Sequence, residues 1–310
     1  MLMALRSLKL PVRRSTFDAN ERTLISPLEL RRPGGRAAYW LVFALLLLLT
    51  LTTVFPLYWM FSGALKSTPE MFRMPPTLVP QDPQWGNYPL AWSRLRYGLY
   101  FRNTVILAAV GWFLQLFVSA TAAYSLSKLR PAFGNVLLFL FLSTLMVPRE
   151  AYLIPQYLTV VRMPILNIQL IDSWWAVWLP GAVSAFNIFV LKAFFDGIPT
   201  DLTDAARIDG ANAWQMFTRI VLPLSKPALA VVSIFAVIGA WKDFFWPFLV
   251  LTNADLQPIM VALFRLTNRA QEPLNLIVAA LAIASLPPLV IFFLFQRQII
   301  RGITLTGLKG

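Results

Sequence analysis

From Ala38 onward the chain is divided into apolar runs long enough to cross a bilayer, and no other feature limits its fold as tightly. The runs at 38–61, 103–124, 133–155, 173–195, 227–251 and 274–295 are separated by segments that hold most of the charge and much of the proline. A helical crossing needs about 20 apolar residues, and inside the bilayer its backbone groups must be satisfied within the segment. The pattern specifies an all-α integral membrane protein with six transmembrane helices. Composition agrees, since 58% of the 310 residues are hydrophobic and 13% are charged, about half the charged share of a soluble domain.

Lysine and arginine set the expected topology. Residues 1–37 form a basic tail with Arg6, Lys9, Arg13, Arg14, Arg22, Arg31, Arg32 and Arg36. The tail is long, and the run after it exceeds the roughly 7–15 apolar residues of a signal peptide, so a retained first span is expected. Basic residues also gather in 125–132, 199–226 and 296–310, which six crossings place on the same side as the tail. The positive-inside rule puts that side, with both termini, in the cytoplasm. The net charge of +13 is thereby assigned to membrane loops, and no nucleic acid partner is expected.

Several spans are irregular. The outer loop 62–102 carries Pro69, Pro75, Pro76, Pro80, Pro83 and Pro89 interleaved with Trp85, Tyr88, Trp92, Tyr97 and Tyr100, the composition of a compact element at the membrane interface. In the third span Pro148-Arg149-Glu150 precedes Pro155, so a kink or break near its outer end is expected. Arg149 and Glu150 then belong at the interface, or are paired and face a wet cavity. Trp174, Trp175 and Trp178 open the fourth span as interfacial anchors, with sugar stacking as the other reading. The fifth span contains Trp241-Lys242-Asp243, a charged pair that is costly unless it faces water or a partner. Trp241, Lys242 and Asp243 are therefore candidates for a solute pathway or for a contact with a partner subunit.

The chain has no cysteine and no histidine, which removes thiolate and imidazole chemistry, and no metal site is expected. Neither G-x-x-x-x-G-K-[ST] nor G-x-G-x-x-G occurs, so any nucleotide is bound by another subunit. A membrane-embedded enzyme lacks a visible nucleophile. An ion-coupled secondary transporter of a polar solute is the alternative function; it would rely on Lys242 and Asp243, or on Arg149 and Glu150, as titrating groups.

The segment 199–226 is polar, cytoplasmic on this topology, and more elaborate than a connector. Thr200 or Asp201 can cap a first short helix over 202–208, with Asp201 and Asp204 at its positive end. Gly210 is suited to a left-handed stop. A second helix over 213–221 sets Trp214, Phe217 and Val221 on one face, and Pro223 ends it. Such a unit either inserts into a cleft on a cytoplasmic partner or packs beneath its own bundle.

Asp204-Ala205-Ala206-Arg207-Ile208-Asp209-Gly210-Ala211, followed by Phe217, Ile220, Leu222-Pro223 and Pro227, resembles the E-A-A motif of bacterial ABC importer permeases, most closely the MalG-like class of the carbohydrate branch. The likeness extends through Phe72-Arg73-Met74-Pro75-Pro76, Asn87-Tyr88, Leu153-Ile154-Pro155-Gln156-Tyr157 and Gly307-Leu308-Lys309-Gly310; residues 1–37 fall outside it. The resemblance implies a type I ABC importer permease fold paired with a second, MalF-like permease subunit. It also implies a cytoplasmic ABC ATPase dimer that carries ATP and magnesium, and an extracytoplasmic binding protein delivering a sugar or sugar-like solute. In that reading Asp204, Ala205, Ala206, Asp209, Gly210, Ala211, Trp214 and Phe217 couple the permease to the ATPase. Asp204 stands where the motif has glutamate, one methylene longer, and Lys309 reaches toward the ATPase from the tail.

Overall fold

A computed structural model describes residues 33–268 and 272–307. The tail up to residue 32, and Lys309, lie outside the described residues. All regular structure among those described is helical. The chain divides into two compact units, Met1–Tyr58 and Trp59–Gly310. The described part of the first is the body of α1 (Pro33–Ala64), apolar on every side as a lipid-solvated helix is. The described part of this helix extends from Pro33, five residues into the expected tail.

The second unit is built on α4 (Tyr97–Tyr124), which a π-helical turn (Ser125–Leu129) prolongs. Before it come α2 (Thr68–Met71) and α3 (Asn87–Arg94) of the proline-rich loop. After it come α5 (Gly134–Thr144), α6 (Arg149–Val161), α7 (Trp175–Gly181) and α8 (Ala185–Asp196). The segment 199–226 holds α9 (Thr200–Ile208), α10 (Ala213–Met216) and α11 (Leu222–Leu224). Then follow α12 (Lys226–Lys242), α13 (Phe245–Val250), α14 (Ile259–Thr267) and α15 (Leu274–Gly307). Helix α4 packs against α8 and α12, and α12 packs against α15. Ala279, Ala280, Ala282 and Ala284 of α15 are buried; small side chains let membrane helices approach closely, where dispersion replaces the missing hydrophobic drive.

Among the described residues, the continuous helices long and apolar enough to cross a membrane are Pro33–Ala64, Tyr97–Leu129 and Leu274–Gln296, and the other candidate crossings are bent or broken. Helices α5 and α6 meet at 103°, and α7 and α8 at 43°. The third crossing thus turns aside at 145–148, and Pro155 lies inside α6. Its far end is held by burial of Val160 beside Ala176, Trp246, Val250 and Leu251. The fifth crossing is α12, interrupted at Asp243-Phe244 before α13. The sixth helix continues through the expected tail to Gly307.

At one end of this unit, the polar side chains of the loops tie them to the helices. Asn87 donates to the carbonyls of Ala64 (2.9 Å) and Lys66 (3.1 Å), and Asn275 donates to Asn87 (3.0 Å). Asn103 donates to the carbonyls of Asp255 (2.8 Å) and Gln257 (3.1 Å). Two carboxylates serve as loop anchors. Glu70 accepts from the Gln81 backbone N–H (2.9 Å) and the Thr77 hydroxyl (2.8 Å). Asp172 accepts from the Thr252 hydroxyl (2.5 Å) and the Asn253 N–H (2.8 Å).

These bonds favour the ionised forms and hold both groups below the usual carboxylate range, the Gln81 amide leading for Glu70 and the Thr252 hydroxyl for Asp172. A carboxyl lowered on folding stabilises the fold above its unfolded value, and that stability is lost as pH falls through the folded value. Amide exchange in 67–84 and 252–257, corrected for intrinsic rate, is expected to stay flat from pH 7 to 5. It should rise only below about pH 4, where carboxyls protonate. Unchanged protection at pH 3 would show that neither carboxylate holds its loop.

Candidate functional site

At the opposite end, 199–226 is a folded element with its own caps. Pro199 occupies the N-cap of α9, so Thr200 and Asp201 fall inside the first turn and neither caps it, contrary to the sequence expectation. Helix α9 ends where Gly210 takes φ +82°. There the Gly210 N–H donates to the Arg207 carbonyl (3.0 Å) and the Ala211 N–H to that of Ala206 (2.9 Å). This is the paired bonding of a Schellman ending, which satisfies carbonyls that a helix terminus leaves open. Two residues on, the Asn212 side chain accepts from the Gln215 N–H (2.9 Å) and Gln215 accepts from the Asn212 N–H (2.9 Å). That capping box, readable as N-x-x-Q, starts α10.

The coupling residues separate by exposure. Asp204, Ala205, Asp209 and Gly210 are exposed, Ala211 is half-buried and Ala206 is buried. Asp204 pairs with Arg207 at 3.0 Å on the surface. Trp214 is 59% exposed and Ile208 is 87% exposed. Phe217, expected on the docking face beside Trp214, is instead buried with Val221 among Ala123, Tyr124, Leu191 and Phe195. Phe217 opens a π-helical turn (Phe217–Val221), and its ring also lies 5.5 Å from that of Trp214. The Tyr124 ring lies 5.0 Å from that of Phe217, and the Tyr124 hydroxyl donates to the Ala213 carbonyl (2.9 Å). Leu202 and Ile208, not singled out from sequence, take its place as exposed apolar groups. Asp209, Gly210, Ala211, Gln215 and Arg219 border a surface hollow of about 410 Å³.

The element is fixed to the bundle at its base. Asp196 accepts from Ser127 (2.7 Å) and pairs with Lys192 (2.7 Å), and Lys128 donates to the Ile198 carbonyl (2.8 Å). These bonds tie the start of the element to the ends of α4 and α8.

A second candidate region is a cavity of about 500 Å³. Arg149, Lys242 and Asp243 line it together with Gln115, Trp178 and Asn187. Arg149 borders this cavity, whereas Glu150 is exposed and is not among its lining residues. The Arg149 charge acts on the Asp243 carboxylate, and among the described residues no ion pair within 4 Å joins Arg149, Lys242 and Asp243. Burying a charge at bilayer depth costs about 2.5–3.5 kcal/mol on insertion scales, a cost that is lower for side chains bordering an open cavity.

Trp241 is separated from this group. It is buried, its indole N–H donates to the Ala284 carbonyl (3.1 Å), and its ring meets Phe101 edge-on at 5.5 Å. The sequence reading of Trp241 as a pathway residue is therefore corrected. Successive helical residues are turned by about 100°, and this one faces the bundle while Lys242 faces the cavity. Trp178 does border the cavity, with its N–H donating to the Leu107 carbonyl (3.2 Å).

The family model described as "Binding-protein-dependent transport system inner membrane component" matches residues 115–305. The chain is 31% identical over 267 residues to the arabinooligosaccharides transport system permease protein AraQ of Bacillus subtilis (strain 168), covering 85% of this chain and 93% of that one. It is 31% identical over 267 residues to the sn-glycerol-3-phosphate transport system permease protein UgpE of Yersinia pestis bv. Antiqua, with 84% and 93% covered. To the lactose transport system permease protein LacG of Rhizobium radiobacter it is 29% identical over 260 residues, with 84% and 93% covered. Its fold matches a chain from the crystal structure of a bacterial ABC transporter involved in the import of the acidic polysaccharide alginate. The TM-score is 0.78 at 24% identity, over 86% of this chain and 98% of that one. The bent crossings, the capped loop element and these matches lead to one assignment: the chain belongs to the inner-membrane components of binding-protein-dependent transport systems.

Proposed function

We propose that this permease subunit imports a sugar or sugar-like solute, and that 199–226 is where ATP-driven motion enters it. The carrying observation is the loop element itself: rigidly capped at Gly210 and Asn212, anchored below by Asp196 and Lys128, and exposing Leu202, Ile208 and Trp214. Exposed apolar groups on an otherwise polar, ordered element suit a protein cleft. The occupant is a cytoplasmic ABC ATPase dimer, which holds the ATP and magnesium, since this chain has no phosphate-binding motif. A MalF-like permease completes the pathway, and an extracytoplasmic binding protein docks at the end that carries the Glu70 and Asp172 loops. Both termini lie in the cytoplasm. The names of the relatives, for arabinooligosaccharides and lactose, support the sugar class. Family membership favours this reading over an ion-coupled secondary transporter.

Uptake by the reconstituted complex is expected to need both ATP and the binding protein. Uptake that persists without ATP and collapses with the proton gradient would reverse the choice. Asp204→Lys tests the loop. The surface pair with Arg207 contributes only about 0.2–1 kcal/mol, so folding should be kept. Transport-coupled ATP hydrolysis should fall several-fold, because the charge offered to the ATPase is inverted. Normal solute-stimulated turnover in that variant would reduce Asp204 to a helix-surface charge.

A further inference from the structure

The cavity lies where the broken crossings of the second unit come together. Arg149 opens α6 just after the 145–148 break, Asn187 follows the break between α7 and α8, and Lys242 and Asp243 stand at the break between α12 and α13. Gln115 and Leu107 enter from the middle of Tyr97–Leu129, a helix of 33 residues. Non-helical backbone at membrane depth persists only where protein buries it or where it borders a wet cavity. Breaks of separate crossings that converge on one cavity therefore mark it as part of the membrane pathway.

The wall has a definite chemistry. Its charge-bearing side chains are two basic, Arg149 and Lys242, and one acidic, Asp243. The cations are not consumed by ion pairs within 4 Å among the described residues. Asn187 is only 5% exposed, and its side-chain amide makes no hydrogen bond among the described residues. A buried amide without a partner has its hydrogen-bonding capacity left for something that enters. Gly181 and Gly239 also border the space, and nothing lies within 4 Å of where a Cβ would stand on either, so room remains for a ligand.

Resting on the reading of this chain as a solute-importing permease, we infer that the cavity is a solute subsite supplied by this subunit and selective for a saccharide bearing an oxyanion. The Arg149 guanidinium takes the oxyanion, a carboxylate or phosphate, in the forked geometry that guanidinium offers and an ammonium does not. Lys242 adds a point charge, and Asn187 bonds a sugar hydroxyl. Asp243 restrains the two cations and weakens their hold, so that the anion is released; a pathway site must bind loosely enough to empty.

The test uses the complete permease–ATPase complex in detergent, without binding protein, titrated calorimetrically. The probes are digalacturonate against its neutral dimethyl ester, and glucose 6-phosphate against glucose. At least one anionic probe is expected to bind tenfold or more tightly than its neutral counterpart, and the pair that responds identifies carboxylate or phosphate as the oxyanion. Arg149→Gln should abolish the preference, Lys242→Gln should cut it several-fold, and Asp243→Asn should increase it. No preference for either anion in the parent complex, or a preference that survives Arg149→Gln, overturns the inference. If Arg149→Gln does not assemble, Lys242→Gln, at an exposed side chain, decides by the same criterion. Separation of the two permease subunits in these variants with the preference intact would make the charges a pairing device, which also overturns it. ATP- and binding-protein-dependent uptake by a parent complex with no anion preference would leave the importer reading standing while removing this one.

Discussion

Gly210→Val is expected to leave the protein inserted in the membrane while lowering ATP-driven uptake and ATPase co-purification by roughly tenfold or more. Gly210 holds φ +82° at the Schellman ending between α9 and α10. A β-branched residue there is strained by about 1–3 kcal/mol. That energy shifts the population of the correct turn by roughly 5- to 150-fold, at about 1.4 kcal/mol per tenfold. Sterics do not intervene, because nothing lies within 4 Å of an added Cβ. The bundle should therefore melt nearly as the parent does, and the damage should be confined to the angle between the two short helices. Gly210→Asn supplies the control, since asparagine tolerates the left-handed region and should recover much of the coupling. Parental ATPase capture by the valine variant would show that the turn is not what the partner grips.

The features legible from sequence were those set by local chemistry. Gly210 after Asp209 could be read as a helix stop because only backbone conformation was at issue. The asparagine–glutamine capping box at Asn212 was equally local, and the N-x-x-Q spacing would have disclosed it. Phe217 was misplaced because helical spacing shows which residues share a face and not what covers them. Its ring is covered by Tyr124 at the end of α4, which is remote in sequence. Pro148 announced a break in the third crossing, yet the 103° turn is set by where Val160 finds its packing partners. The cavity was half visible. Arg149, Lys242 and Asp243 stood out as charges in apolar runs, but their meeting is a product of tertiary structure. Asn187 and Gln115 carried a weaker signal, polar amides in the middle of apolar spans.

The two regions are linked by the same helices. Helices α8 and α12 carry Asn187 and Lys242 beside the cavity, and buried Leu191, Phe195, Ala228 and Val232 of the same helices pack in the cluster that holds Phe217 and Val221 of the loop element. A tilt imposed on the loop reaches the cavity through rigid helix, without needing a chain of side-chain rearrangements. The breaks then become the places where such a tilt can change the cavity's shape, since regular helix resists bending and interrupted helix does not.

Trp246→Ala follows from that view and should be the most destabilising single change in the membrane part of the chain. Trp246 is 2% exposed, packs with Leu107, Val160, Ala176 and Val250, and donates its indole N–H to the Ala176 carbonyl at 2.9 Å. It is the second residue of α13, directly beyond the break that carries Asp243. Truncation of a buried tryptophan costs about 3–5 kcal/mol through lost contacts and the space left behind. Packing is what holds helices together in a bilayer, so the contact term persists there. The thermal midpoint in detergent should fall by roughly 10 °C or more, at about 2–4 °C per kcal/mol for a chain of this order of size. Trp246→Phe keeps most of the packing and loses the hydrogen bond, worth about 0.5–1.5 kcal/mol, so it should sit close to the parent. Because α13 would no longer be clamped to α7, uptake should drop further than the loss of folded protein explains, measured per folded complex. A parental melting point in the alanine variant would mean that the α12–α13 break is held by something other than this side chain.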